Sequence, residues 1–238
     1  MQIQLFKMDF IVRWWLVLIT LAAFAILIKL AYWQWFRAEQ KELQLVQIAQ
    51  WQQRGAPDWS TLLTYSMAEL DGAPIQASAR WLAPTIWLID NKLWQGQPGY
   101  DVLIPVQLTP NTPALLVNLG WIAAPASRQQ LPEVAVPEQL QLQGLLRTKL
   151  GDFRLGDNLE PQGRWPMRVQ TIDPPSLAQT VDYPLFAGVF YQQHTPFVYR
   201  YQPVVLPPEK HRAYALQWLL LAVAVVIVAI AASVRKDV

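Results

Sequence analysis

Two long apolar runs, one near each end of the chain, limit what it can fold into more than any other feature. The first extends from about Trp14 to Trp35 (WWLVLITLAAFAILIKLAYWQW) and the second from about Ala213 to Val234 (AYALQWLLLAVAVVIVAIAASV). A helix rises about 1.5 Å per residue, so roughly 20 apolar residues cross the ~30 Å hydrocarbon core of a bilayer. Each run has that length and is read as a transmembrane helix. Lys29 interrupts the first near its far end, where its aliphatic stem carries the ammonium towards the interface. Trp14 and Trp15 at one end, with Tyr32, Trp33 and Trp35 at the other, supply the aromatic belts expected at headgroup depth. A cleaved signal peptide is the competing reading of the first run. It would be shorter and followed by small residues, whereas bulky aromatics and a charged helix follow here. A buried core helix would not need cations and aromatics at its borders.

The cations that flank the runs set an orientation. Lys7 and Arg13 precede the first, and Arg235 and Lys236 follow the second. By the positive-inside rule both termini are cytoplasmic. The expected order is a cytoplasmic tail over 1–13, a span over 14–35, an outer domain over 36–209, a span over 213–234 and a tail over 235–238. In a bacterium this is a two-pass protein of the inner (plasma) membrane with a periplasmic domain. In a mitochondrion the same domain would face the intermembrane space.

All 19 prolines lie between Pro57 and Pro208 and all 10 glycines between Gly55 and Gly188, so turn-forming residues are confined to the middle. Directly after the first run, FRAEQKELQLVQIAQWQQR has neither, and spaces Leu43, Val46 and Ala49 as a helix does; the span's helix is expected to continue to about Gly55. Beyond it come short β-like runs: PIQASARWL, TIWLIDNKLW, YDVLIPVQL, ALLVNLGWI, LQLQGLLR, WPMRVQTI and FAGVFYQQ. Asp90-Asn91 could turn the second of these back on itself, and short helices are expected at Ser127–Leu131 and Ser176–Thr180. The fold class is therefore a membrane protein whose two transmembrane helices flank a mainly antiparallel β domain, a small barrel or sandwich with some helix, outside the cytoplasm.

Chemistry is sparse. With no cysteine, disulfides, thiolate metal sites and c-type haem attachment are excluded. A net charge of +2 without a basic tract gives no reason to expect nucleic acid as a partner. GxSxG, HExxH, P-loop and GxGxxG patterns are missing and no acid–base pair or nucleophile stands out, so a periplasmic enzyme is a weak reading. Ser127 and Ser176 read as helix caps. Asp152 and Asp157 in GDFRLGDN could wrap a cation, but lack the ligand series of a calcium loop and read better as a solvated turn. His194, in YQQHTP, reads as surface. His211 stands where the chain enters the second run, after Pro207, Pro208 and Glu209, which suit a helix start. His211, Tyr214 and Trp218 fall at i, i+3 and i+7, one stripe. The plainer reading is an interfacial anchor. The functional one is a neutral imidazole at the membrane surface that ligates a haem iron, with the macrocycle against the apolar helix and Lys210 and Arg212 near the propionates.

Four stretches then resemble the Surfeit locus protein 1 (Shy1-type) family of cytochrome c oxidase assembly factors, in its bacterial form. WQWFRAEQK keeps a Trp-Gln-x-x-Arg-x-x-x-Lys spacing in Trp33, Gln34, Arg37 and Lys41. LIDNKLWQGQPGYDVLIP matches a block through Asp90, Asn91, Gly96, Pro98, Gly99, Tyr100 and Pro105. LLVNLGW follows with Leu116, Val117, Gly120 and Trp121, and HRAYALQW supplies His211, Tyr214, Ala215, Gln217 and Trp218. Leu119, Ala79 and Lys92 depart from the family's arginine, glycine and arginine. The resemblance implies an assembly factor and not an enzyme, one that aids haem a delivery to the large catalytic subunit of a haem-copper oxidase, or alternatively an adaptor that stabilises an assembly intermediate without haem. It further implies haem a as a transient cofactor with His211 as ligand to its iron. Tyr214 and Trp218 are then candidate cofactor contacts. Partners would be the large oxidase subunit, other assembly factors and the lipid bilayer. Gly99 and Gly120 are expected to permit turns or close backbone approach, and Trp121 reads as packing.

Overall fold

The computed structural model describes residues 2–5, 8–11, 13–151, 157–159 and 164–234. Lys7, Asp152, Arg235 and Lys236 lie outside the described residues. In chain order the elements are β1 (Gln2–Leu5), β2 (Met8–Ile11), α1 (Trp14–Arg54), α2 (Trp59–Leu62), α3 (Met67–Leu70), β3 (Pro74–Trp81), β4 (Trp87–Trp94), β5 (Gln97–Gln107), β6 (Ala114–Ala123), β7 (Gln139–Arg147), β8 (Met167–Val169), α4 (Pro174–Leu177), β9 (Leu185–Gln192) and α5 (Pro208–Ser233). They fall into two compact units, one made of both ends of the chain up to residue 45 and from residue 204, the other of residues 46–203.

The first unit holds an antiparallel β1–β2 pair, most of α1, and α5. Helix α1 runs unbroken for 41 residues because no glycine or proline interrupts it, and it stops at Gly55, whose φ of 81° is the left-handed conformation that ends helices. Both helices are long and apolar enough to cross a membrane. In the most apolar window of α1 no residue is buried, and in that of α5 only 11% are, which excludes the buried-core reading. Trp14, Trp15, Tyr32, Trp33 and Trp35 are all exposed.

The second unit is a barrel. Strands β3, β7, β9, β6 and β5 pair in that order, and a short β3–β5 contact (Arg80↔Gln107, Trp81↔Val106) closes the ring. Strand β5 makes this possible through its length: residues 97–103 pair with β4, its end pairs with β3, and residues 99–106 pair with β6 along its other edge. Strand β4 carries β8 on its outer edge. Pairing is mainly antiparallel, as expected, with β4–β8 and β6–β9 parallel. The core explains the sequence patterns. Alternate residues of β5 and β6 enter two separate clusters: Val102, Ile104, Val106, Leu115, Val117 and Leu119 go inside the ring, while Leu103 and Leu116 join Trp87, Ile89, Val189 and Leu177 on the other face. Strands covered on both faces read as continuous apolar runs. Strand β7 is covered on one face only, so LQLQ alternates, with Leu140 and Leu142 in and Gln139 and Gln141 out. The last turns of α1 belong here too. Trp51 joins the inner cluster and donates from Nε1 to the Glu69 carbonyl at 2.8 Å.

Three local expectations are corrected. Asp90-Asn91 is a bulge inside β4 and not a turn: pairing with β5 skips from Ile89 to Lys92, with Asn91 at φ 59°. The turn comes at Gln95-Gly96, both at positive φ (49° and 79°), as a tight two-residue hairpin demands. Ser127–Leu131 forms turns and no helix, with the Ser127 hydroxyl accepting from the Gln129 amide at 3.3 Å. The helix at α4 exists, followed by a 3-10 turn at Ala178–Thr180, but Asp173 holds its N-cap position and Ser176 lies inside it.

Candidate functional site

The two motif-bearing helix segments of the first unit meet. Where α1 leaves its apolar run, the 3.6-residue period puts Gln34, Ala38 and Lys41 on one face. Ala38 is buried there, while Trp33, Trp35 and Phe36 are exposed. Helix α5 starts with Pro208 at its first position and Glu209 in its first turn. Its buried stripe is Pro208, His211, Ala215 and Ala222. His211, only 7% exposed, places its ring Nδ1 2.7 Å from Gln34 Oε1. One residue on, Arg212 forms an ion pair with Glu42 of α1.

The chemistry of the ring follows from these neighbours. An amide oxygen accepts and never donates. Gln34 Oε1 is therefore matched by the tautomer that carries its proton on Nδ1, in which Nε2 keeps its lone pair. His211 stands ahead of the apolar run that begins at Ala213. Burial, then the positive charges of Arg37 and Lys41, holds the imidazole below its ordinary pKa and so favours the neutral ring. The positive groups nearby have other work in part: Arg37 donates to Gln40 Oε1 at 2.9 Å and Lys41 to Gln44 Oε1 at 3.3 Å, while Lys210 is exposed. Of the other two candidate residues on α5, Trp218 is half-buried beside the His211 stripe, and Tyr214 lies at its margin, 41% exposed. Among the described residues there is no group of three or more His, Cys, Asp or Glu arranged to hold a metal ion. Asp157 is exposed, its carbonyl accepting from Gln170 Nε2 at 2.9 Å, and His194 is an exposed loop residue at φ 54°.

The motifs of the barrel have a packing explanation. A Cβ on Gly99 would sit 2.3 Å from the Ile122 carbonyl oxygen and 2.4 Å from Cε2 of Trp121. Trp121 in turn donates from Nε1 to the Lys92 carbonyl at 2.9 Å, tying β6 across to the bulged strand β4. Gly120, at φ 116°, lets the backbone of Val198 approach so closely that a Cβ would meet its oxygen at 2.8 Å. Close approach is thus what both glycines permit, and Trp121 is a packing residue. The Asp90 carboxylate accepts from the Asn91 amide at 2.7 Å and from Arg128 at 2.6 Å, which stabilises the bulge. Leu119 points into the inner core and lines a cavity of about 280 Å³ with Gln139, Gln192 and His194; leucine suits that wall as a charged side chain without a partner would not.

The residue that the sequence reading missed is Gln34 as the partner of His211. A signal was present: a lone amide between tryptophans at the end of an apolar run is costly unless it is hydrogen-bonded, and such residues mark polar contacts between helices.

Comparison with known proteins gives one strong finding. The model of the SURF1 family matches residues 21–223, the greater part of the chain, from the first apolar run to the second. A search of curated proteins gives no match.

Proposed function

Because the chain belongs to the SURF1 family, whose members are cytochrome oxidase assembly factors rather than catalysts, we propose that it aids delivery of haem a to the large subunit of a haem-copper oxidase, with His211 as ligand to the haem iron. The observation that carries this reading is the His211–Gln34 contact at 2.7 Å, which engages Nδ1 and so leaves Nε2 as the nitrogen for a ligand bond. A bare metal ion needs several protein donors, whereas a porphyrin iron arrives with four nitrogen donors and takes one or two axial ligands. A solitary histidine fits the second and not the first. When bound, haem a would supply the redox-active iron and the macrocycle. The protein's part is to present Nε2, to keep the ring unprotonated, and to offer cations to the propionates. Lys210, exposed beside the histidine, suits that last role.

In this reading both termini are cytoplasmic and the barrel faces the periplasm of a bacterium, which puts His211 at the outer surface of the membrane. Support comes from the flanking cations Arg13, Arg235 and Lys236. The test is to purify the full chain from cells that make haem a and to record its absorption spectrum beside that of His211→Ala. The proposal expects a haem a spectrum in the wild type that the variant lacks. No haem in the wild type, or equal haem in both, refutes the cofactor role and leaves a haem-free adaptor.

A further inference from the structure

An axial ligand uses one nitrogen of an imidazole. In this protein the other nitrogen is engaged from a different helix, and the partner is unusual for its place. Gln34 sits in the aromatic end of an apolar run, where an amide without a hydrogen bond is destabilising. Its face of α1 leads on to buried Ala38 and to Lys41, and its oxygen lies against His211 Nδ1 at 2.7 Å. Between the two neutral tautomers of an imidazole, a hydrogen bond from Nδ1 to an amide oxygen makes the choice.

We infer that Gln34 is a positioning residue for His211, its side-chain oxygen holding the ring in the Nδ1–H tautomer and thereby presenting Nε2 as the ligand nitrogen. Metal-ligating histidines donate their other N–H to a carboxylate or carbonyl in just this way, which fixes ring orientation and raises ligand basicity. The consequence for haem rests on the function proposed above. The tautomer itself does not.

The test uses the full chain in lipid nanodiscs, with histidines labelled with nitrogen-15, and reads the protonation of each ring nitrogen by NMR. The chain has two histidines, so His194→Gln assigns the spectrum. Wild type is expected to carry the His211 proton on Nδ1. Gln34→Leu, apolar in an apolar run, is expected to move it to Nε2, and Gln34→Glu, which keeps an acceptor, to restore Nδ1–H. The same three proteins are titrated with haem a. Gln34→Leu should bind it about 10–100-fold more weakly, the usual effect of removing such a partner, and Gln34→Glu should recover binding at a pH above the imidazole pKa, which its carboxylate raises. A proton on Nε2 in the wild type, or no change of tautomer in Gln34→Leu, overturns the inference. A tautomer that moves while haem a affinity stays constant overturns its functional half. Wild-type protein that binds no haem a but shows the expected tautomers removes the haem reading and leaves the hold of Gln34 on the ring standing.

Discussion

Replacing Gly99 by alanine tests the packing account of the barrel motif. The added Cβ would lie 2.3 Å from the Ile122 carbonyl oxygen, 2.4 Å from Trp121 Cε2 and 2.5 Å from Trp121 Nε1. A comfortable carbon–oxygen contact is about 3.3 Å, so the backbone of β5 or β6 must yield by about 1 Å. The ring could move with a rotamer change, but the carbonyl belongs to the β5–β6 ladder, where Gly99 pairs with Ala123 and Tyr100 with Ile122. Overpacking costs about 1–3 kcal/mol, and a backbone clash that no side chain can relieve puts Gly99→Ala at the upper end. For a unit of this size each kcal/mol lowers Tm by about 2–4 °C, which gives a loss of roughly 6–12 °C. The assay is thermal unfolding of the full chain in detergent, followed by near-ultraviolet circular dichroism. In a Trp121→Ala background the ring contact is gone and the carbonyl contact remains, so Gly99→Ala should still destabilise, though less. A wild-type Tm for Gly99→Ala, or complete suppression of its effect by Trp121→Ala, would refute the reasoning.

Other consequences follow from the same structure. Asp71, 2% exposed, accepts from Arg147 at 2.9 Å and from the amides of Thr148 and Lys149 at 3.0 and 3.3 Å; Asp71→Ala strands these donors and should cost about 3–5 kcal/mol in a denaturant titration, with Asp71→Asn milder. Tyr191 and Tyr201 stack with ring centroids 3.8 Å apart, and burial pushes Tyr201 up to about 12 and Tyr191 up as well. The folded state therefore holds these protons longer than the unfolded chain, and stability is full below the ordinary tyrosine pKa of about 10 and lost as pH rises beyond it. A phenolate absorbance titration should show both ionising late, and Tyr201→Phe should remove one late group. Reporter fusions at either terminus should be active only in the cytoplasm and fusions within residues 46–203 only outside it; the opposite pattern contradicts the proposed orientation.

The sequence was a good guide wherever one physical cause dominated. Twenty apolar residues in a row have few destinies, and the lack of Gly and Pro up to Gly55 bounded α1. Strand positions were readable from β-like runs, because two-sided burial in β5 and β6 and one-sided burial in β7 leave different marks. Local chemistry was misread where it permits several outcomes. Asn91 does adopt the left-handed conformation that its side chain tolerates, but a bulge uses that conformation as well as a turn does. Ring closure through β3 and β5, and the parallel β6–β9 pair, depend on contacts far apart in the chain that no local pattern encodes. At the site, His211 stood out, whereas its partner 177 residues away could be known only once α1 and α5 were brought together.

The role proposed for His211 is delivery of haem a to the oxidase. The most direct measurement is the haem a content of the large oxidase subunit purified from cells that lack this gene and are complemented with wild type or with His211→Ala. Wild type should restore the full complement, and His211→Ala, present in the membrane at the same level, should leave the subunit short of haem a. A full complement of haem a with His211→Ala would contradict it.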